Sequence, residues 1–372
     1  MSVKCQVIMD AMDKLAPRYL AESWDNVGLL VGSPAQSICK IVIALDVTES
    51  VVSEAVQSNT DMIIAHHPLI FKGITNIRTD RHHGQLLARL LKADIAVYAA
   101  HTNLDIAANG VNDALVERLQ LRQAQPLTVS YTEKLVKLVV FVPQTHIEQV
   151  RRAIIQAGAG HIGNYSNCTF QSDGMGTFLP LTGANPFIGE PGKLEVVPEF
   201  RLETIMPEKI SRRVIKSMCK AHPYEEVAYD IYPLYNVGPV AGLGRIGKLA
   251  QAVSFADFIL QVKTALGIGQ VSAVGSTTKM ISKVAVCGGS GAGLISKAVF
   301  AGADVLVTGD VKYHDAQDAL AAGIAIIDAG HFSTEQPVIA HVAEYLKQCG
   351  EQEKWAVEIN SDNMSTDVFR VY

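Results

Sequence analysis

Three short, unbroken apolar runs near the start of the chain constrain its fold more than any other feature. They are Ile41-Val42-Ile43-Ala44-Leu45, Met62-Ile63-Ile64-Ala65 and Ile95-Ala96-Val97-Tyr98-Ala99. Helical patterns separate them, near Glu49 to Ser58 and Gly84 to Lys92, and another opens the chain near Val3 to Leu15. A run that is apolar at every position leaves no face for water, so these predict strands covered by helices on both sides. The last third follows the same plan. Lys283-Val284-Ala285-Val286-Cys287, Asp304-Val305-Leu306-Val307-Thr308 and Ile324-Ala325-Ile326-Ile327-Asp328 alternate with helical stretches. An α/β layered class follows.

The two outer segments also align with each other. Thr60 to His67 matches Ala303 to Asp310, and Ala100 to Asp105 matches Gly330 to Glu335. We read this as an internal pseudo-repeat of two similar α/β half-domains whose equivalent strand ends face one another; chance similarity of two generic strand–helix–strand units is the alternative. Between them, Leu135 to Pro233 reads strand, helix, strand, strand, helix, strand, the βαββαβ ferredoxin-like plan. The expected organisation is residues 1–125 and 238–372 as two halves of one metal-binding domain, interrupted by an inserted domain at 126–237.

The bulk composition narrows the function classes. The chain has 372 residues, 48% hydrophobic and 19% charged, which supports a large core and argues against disorder. A net charge of -5 speaks against nucleic acid or an anionic membrane as the main partner. No apolar run approaches a membrane span and no signal peptide is evident, so a cytoplasmic protein is expected. Six cysteines occur with no C-x-x-C pair, so they are expected to be buried free thiols, and any metal must rest on histidines and carboxylates.

Those ligand types gather at the ends of the strand-like runs. His66-His67 closes Met62 to Ala65, and Pro68 then stops further pairing. Adjacent side chains on a strand point opposite ways, so one ligand for each of two ions fits more easily than two for one. His101 with Asp105, and His331 with Glu335, each follow a buried run at an offset of four, which returns to one face of a helical turn. Imidazole nitrogen and carboxylate oxygen suit zinc, iron, manganese or cobalt. A carboxylate can bridge two such ions, roughly 3.5–4 Å apart. His82-His83 reads instead as a solvated helix start. Gly288 to Gly293 reads as a tight turn, although its N–H groups could hold a phosphate. Asp310, the counterpart of His67, is a candidate for orienting a ligand.

Four stretches in this order resemble the Nif-three-like (NGG-interacting-factor) family. They are Trp24-Asp25-Asn26-Val27-Gly28-Leu29, His66-His67-Pro68-Leu69-Ile70-Phe71, His101-Thr102-Asn103-Leu104-Asp105 and Gly330-His331-Phe332-Ser333-Thr334-Glu335. The resemblance implies two divalent metal cations per subunit, held by His66, His67, Asp105, His331 and Glu335. Glu335 would be the bridge and His101 a sixth ligand or close neighbour. It also implies a toroidal homohexamer and the name GTP cyclohydrolase I type 2 homologue. The middle block, through Ala221-His222-Pro223-Tyr224-Glu225-Glu226, is similar to the CutA/PII-like insert of longer bacterial members.

Two function classes follow. The first is a metal-dependent hydrolase acting on a small molecule, a nucleotide in the case the family name suggests, with His101 moving protons and Glu335 indispensable. The second is a non-catalytic metal-binding or regulatory scaffold with the insert as its sensing module.

Overall fold

The computed structural model describes residues 2–370. The apolar runs become neighbouring strands. Lys40–Ala44, Met62–Ala65 and Ala96–Ala99 lie side by side and parallel. Glu358–Ser361 adds in parallel at one edge and Gly28–Val31 in antiparallel at the other, making a five-stranded sheet. Every residue of Met62–Ala65 and Ala96–Ala99 is buried. Helices on both faces account for that. Ile41, Ile43, Met62 and Ile64 pack with residues of the helices Cys5–Leu15 and Pro337–Glu353. Ala44, Ile63, Ala65 and Val97 pack with residues of Glu49–Gln57 and His82–Lys92.

A second, six-stranded sheet is built around Met280–Ser290, Val305–Gly309 and Ala325–Asp328, again parallel. Arg245–Ser254 and then Arg122–Pro126 extend one edge in antiparallel, and Ser272–Val274 closes the other. The helix Phe255–Leu266 covers one face, its N-terminus capped by Ser254 Oγ accepting from the Asp257 N–H at 3.1 Å.

The two sheets share local detail. Asp61 Oδ2 accepts the N–H groups of Cys39 and Lys40 at 2.6 and 2.9 Å. Asp304 Oδ2 accepts those of Ser282 and Lys283, both at 2.8 Å. In each sheet the aspartate just before one parallel strand therefore pins the backbone of its neighbour, at the start of Lys40–Ala44 and within Met280–Ser290. The exits match too: Ala100 donates to Ala65 O at 2.9 Å, and Ala329 donates to Thr308 O at 2.8 Å.

The chain separates into two compact units, one made of residues up to Tyr131 with those from Ala241 onward, the other Thr132–Val240. The second unit carries an antiparallel sheet in the order Thr169–Phe178, Glu195–Pro207, Leu135–Pro143, Tyr229–Pro233. The helices Ile147–Gln156 and Ser211–Ala221 cover one face, with Val150, Ile154, Val214 and Met218 against Leu138, Val140, Leu202 and Met206. Among the described residues, no helix is long and apolar enough to cross a membrane.

The expectation of six buried thiols needs correction. Cys5 and Cys287 are buried, but Cys39 and Cys219 are exposed. Cys39 lies at the turn into a strand, and Cys219 sits on the outer face of a strongly amphipathic helix.

Arg245 joins the two segments of the first unit. It is 3% exposed, and its guanidinium donates to both oxygens of Asp113 at 2.7 and 2.8 Å and to the carbonyls of Ala107, Gly242 and Gly244. Removing it takes away the partner of a half-buried carboxylate and leaves three carbonyls without their donor. Arg245→Met is therefore expected to cost about 3–5 kcal/mol of stability. Urea unfolding followed by circular dichroism measures this, and a loss within experimental error would refute the clamp.

Candidate metal centre

His66 and His67 leave the end of the strand Met62–Ala65, with their N–H groups donating to Ala44 O and Leu45 O at 3.0 and 2.8 Å. His101 precedes the short helix Thr102–Ile106, which carries Asp105 one turn later. His331 opens the helix His331–Glu335 directly after Gly330, whose φ of 86° makes the sharp entry a glycine position. These side chains meet. His66 Nε2 lies 3.6 Å from Asp105 Oδ1 and 3.7 Å from Glu335 Oε1. Glu335 Oε2 lies 3.1 Å from His67 Nε2 and 3.2 Å from His331 Nε2. Ligand atoms of His66, Asp105 and Glu335 lie within 4.8 Å of one another, as do those of His67, His331 and Glu335, and those of His66, His67 and His101. Glu335 thus belongs to two of the three groups. All six side chains singled out from the sequence are brought together; His82 and His83 stay exposed, away from them.

Each imidazole is also held from outside. The Nδ1 atom of His66 lies 2.9 Å from Ala100 O, that of His67 2.9 Å from Asp46, that of His101 3.0 Å from Asp25, and that of His331 2.6 Å from Asp310. A proton on Nδ1 satisfies each carbonyl or carboxylate and leaves Nε2 as a free lone pair. Metal-ligating histidines characteristically have this arrangement. Asp310 stands where the alignment suggested an orienting role. Asp25 and Asp46 were not singled out as orienting groups by sequence reasoning. The available signal was positional, since Asp46 follows its strand at the same edge as His66.

The electrostatics draw positive charge into the centre. Burial opposes charging of His66, yet Glu335 and Asp105 hold its pKa above the ordinary value. Burial likewise opposes His67, and hydrogen bonds to Asp46 and Glu335 push it up to about 10. The hydrogen bond to Glu335 raises His331 to about 9. Burial lifts Asp105 to about 7. Glu335, 4% exposed, is resisted by burial but held well below the carboxylate range by His66, His331 and His67. Burial lowers His101 despite its bond to Asp25.

A divalent cation fits these residues. His66 Nε2 and Asp105 Oδ1 are buried with no hydrogen-bond partner, and with the protons of the neutral His67 and His331 rings on Nδ1, Glu335 Oε2 has none either. Orphaned buried polar atoms are costly, and here all three converge and are of ligand type. The Gly-rich stretch supplies room rather than a phosphate cradle. The N–H groups of Gly288, Gly289 and Gly291 donate to Asn112, Thr334 and Thr308 side chains at 3.0, 2.9 and 2.8 Å. Gly289, with φ of 63°, lies so close to Glu335 Oε1 that a Cβ there would collide with it. Trp24 and Phe71, 57% and 45% exposed, flank His101 with ring centroids 6.1 and 6.4 Å away.

The fold and these side chains define a mixed α/β protein with a centre of histidines and carboxylates able to take metal. More particularly, the chain belongs to the Duf34/NIF3 (NGG1p interacting factor 3) family, whose model matches residues 3–367. Proteins named GTP cyclohydrolase 1 type 2 homolog from Halalkalibacterium halodurans and Bacillus subtilis are each 46% identical, the first over 98% of both chains, the second over 99% of this chain and 98% of its own. The crystal structure of a Bacillus cereus protein related to NIF3 superposes with a TM-score of 0.94 at 45% identity, covering 100% of both chains. Staphylococcus aureus protein SA1388 gives 0.80 at 30% identity, over 100% of this chain and 99% of its own.

If the outer carboxylates orient the rings, Asp46→Ala and Asp310→Ala should each weaken metal affinity about 10–100-fold. Zinc titrated into chelator-treated protein, against a competing indicator, provides the measurement. Unchanged affinity in both variants would remove the orienting role.

Proposed function

We propose that the protein is a metal-dependent hydrolase. Its centre would be two divalent cations held by His66, His67, Asp105, His331 and Glu335, with Glu335 common to both. The observation that carries this reading is the convergence of three orphaned buried ligand atoms among imidazoles whose Nδ1 atoms are all engaged elsewhere. When bound, such cations supply a hydroxide nucleophile near neutral pH and polarise the bond to be cleaved. Zinc, iron, manganese and cobalt all suit this donor set.

The chain's own residues would do the rest. Asp25 fixes the His101 ring through Nδ1, leaving its other nitrogen to accept or return a proton. Asp46 and Asp310 hold His67 and His331 in place, which keeps the donor atoms preorganised. Trp24 and Phe71 offer ring faces beside His101, suited to a flat heteroaromatic substrate. The relatives' name points to GTP; a cyclohydrolase reaction on it would open the purine imidazole ring at C8 and release formate. The same chemistry would serve a phosphoester or an amide.

The reading extends to the assembly. The strand order and helix placement of Thr132–Val240 support an inserted ferredoxin-like, CutA/PII-like domain. Exposed apolar side chains such as Phe300 and Leu320 support a homo-oligomer, a homohexamer on the family resemblance. A cytoplasmic location accords with the free cysteines.

Metal analysis of protein purified without added metal, joined to steady-state assays on GTP, other nucleotides and model esters, tests the proposal. About two equivalents of metal per chain are expected. Turnover should be lost on chelation, restored by metal, and abolished in Glu335→Ala. Metal that exchanges reversibly with no turnover on any substrate would sink the hydrolase reading and favour the scaffold.

A further inference from the structure

The second unit contains a cavity that the metal chemistry does not use. Its volume is about 700 Å³, within the range of small-molecule sites. Phe141, Phe178, Phe187 and Tyr224 supply aromatic walls, and Met175 and Leu181 lie at an apolar rim. The stretch Ala221 to Glu226 builds one side of it. His222 Nε2 donates to Phe141 O at 2.9 Å, and its Nδ1 accepts the Tyr224 N–H at 3.1 Å. The Tyr224 hydroxyl then donates to Glu199 Oε1 at 2.9 Å. The phenol is thus fixed between the backbone and a carboxylate, with the Phe178 and Phe187 rings 5.8 and 6.4 Å from its own.

Glu199 makes this cavity more than an apolar recess. It is only 7% exposed, yet no lysine, arginine or histidine among the described residues pairs with it. Its second oxygen, Oε2, has no donor among them either, and since it is not one of the described atoms closed off from water it keeps access to the cavity. Arg201, the one basic side chain in the lining, is turned to Glu203, with Nε 2.8 Å from Oε1. Asp173, Glu225 and Glu226 add further negative charge to the walls. A sheltered carboxylate with one neutral hydrogen-bond partner favours a cation beside its open oxygen.

We infer that this cavity binds a small organic cation, its ammonium group against Glu199 and its apolar body along the aromatic walls. Ring faces and a carboxylate together favour an ammonium over a neutral group. An anion meets four carboxylates, and a neutral ligand leaves Glu199 uncompensated. A bare metal ion gains nothing from aromatic walls, and these carboxylates form no close ligand cluster among the described residues.

Calorimetric titration of the full-length protein with phenethylamine, phenethyl alcohol and phenylacetate tests this, because the three share one body and differ in charge. The amine should bind about tenfold or more tighter than the alcohol, with phenylacetate weakest. Glu199→Gln should bring the amine down to the alcohol's affinity and leave the alcohol unchanged. Met175→Trp, at an exposed rim position, should block the amine while retaining the parent's melting temperature, which guards against a folding defect in the first variant. Chelation of metals should change nothing. Equal binding of all three ligands, no saturable binding of the amine, or full amine affinity in Glu199→Gln would each overturn the inference.

Discussion

The Glu335 carboxylate is the contact that ties the first unit's candidate metal centre together. Burial makes its charge expensive, and three imidazoles around it offset that expense. Its two oxygens point to different histidines, Oε1 to His66, and Oε2 to His67 and His331. A side chain from the second sheet's helix therefore links to the end of a strand in the first. Gly289 leaves the space for it, because any Cβ at that position would occupy the carboxylate's place. The nearby Arg245 clamp keeps the two chain segments together at Ala107 and Asp113.

The architecture explains why so many polar groups meet. Parallel strands present their carboxyl ends at one edge of a sheet, and loops there carry the functional side chains. Asp46 follows Lys40–Ala44, His66 and His67 follow Met62–Ala65, and His101 follows Ala96–Ala99. Asp310 and His331 follow the corresponding strands of the second sheet. Asp25 is an exception in sequence only, since it precedes Gly28–Val31. That strand runs antiparallel to its neighbour, so its beginning lies at the same edge. One topological rule thus places donors and their orienting partners together, and burial of the strands beneath them keeps the arrangement stiff.

Legibility in the sequence followed the same physics. Met62 to Ala65 and Ala96 to Ala99 were readable because burial on both faces leaves an unbroken apolar run. Arg245–Ser254 was not, because it sits toward a sheet edge with mixed exposure and a register shift between Lys248 and Val253. The donors His66, His67, His101, Asp105, His331 and Glu335 stood out by residue type at strand ends. The orienting role of Asp25 and Asp46 did not, because an aspartate beside a turn is ordinary until its partner's position is known. The glycines at 288 to 291 could be read two ways from sequence. The distinction came from side chains distant in the chain, Asn112, Thr308 and Thr334, which take up their N–H groups.

Glu335 and Glu199 make an instructive contrast. Both are carboxylates almost removed from water, at 4% and 7% exposure. Glu335 is surrounded by imidazoles that can hold positive charge, and its centre is internally compensated even as it offers ligand atoms to a cation. Glu199 has a tyrosine hydroxyl and aromatic rings, which stabilise an anion far less than a paired cation does. Burial of charge is tolerated where it is matched, and here the protein matches one of the two. The open space beside Glu199 is of a size to admit the missing charge from outside, carried on a body that the surrounding rings can grip.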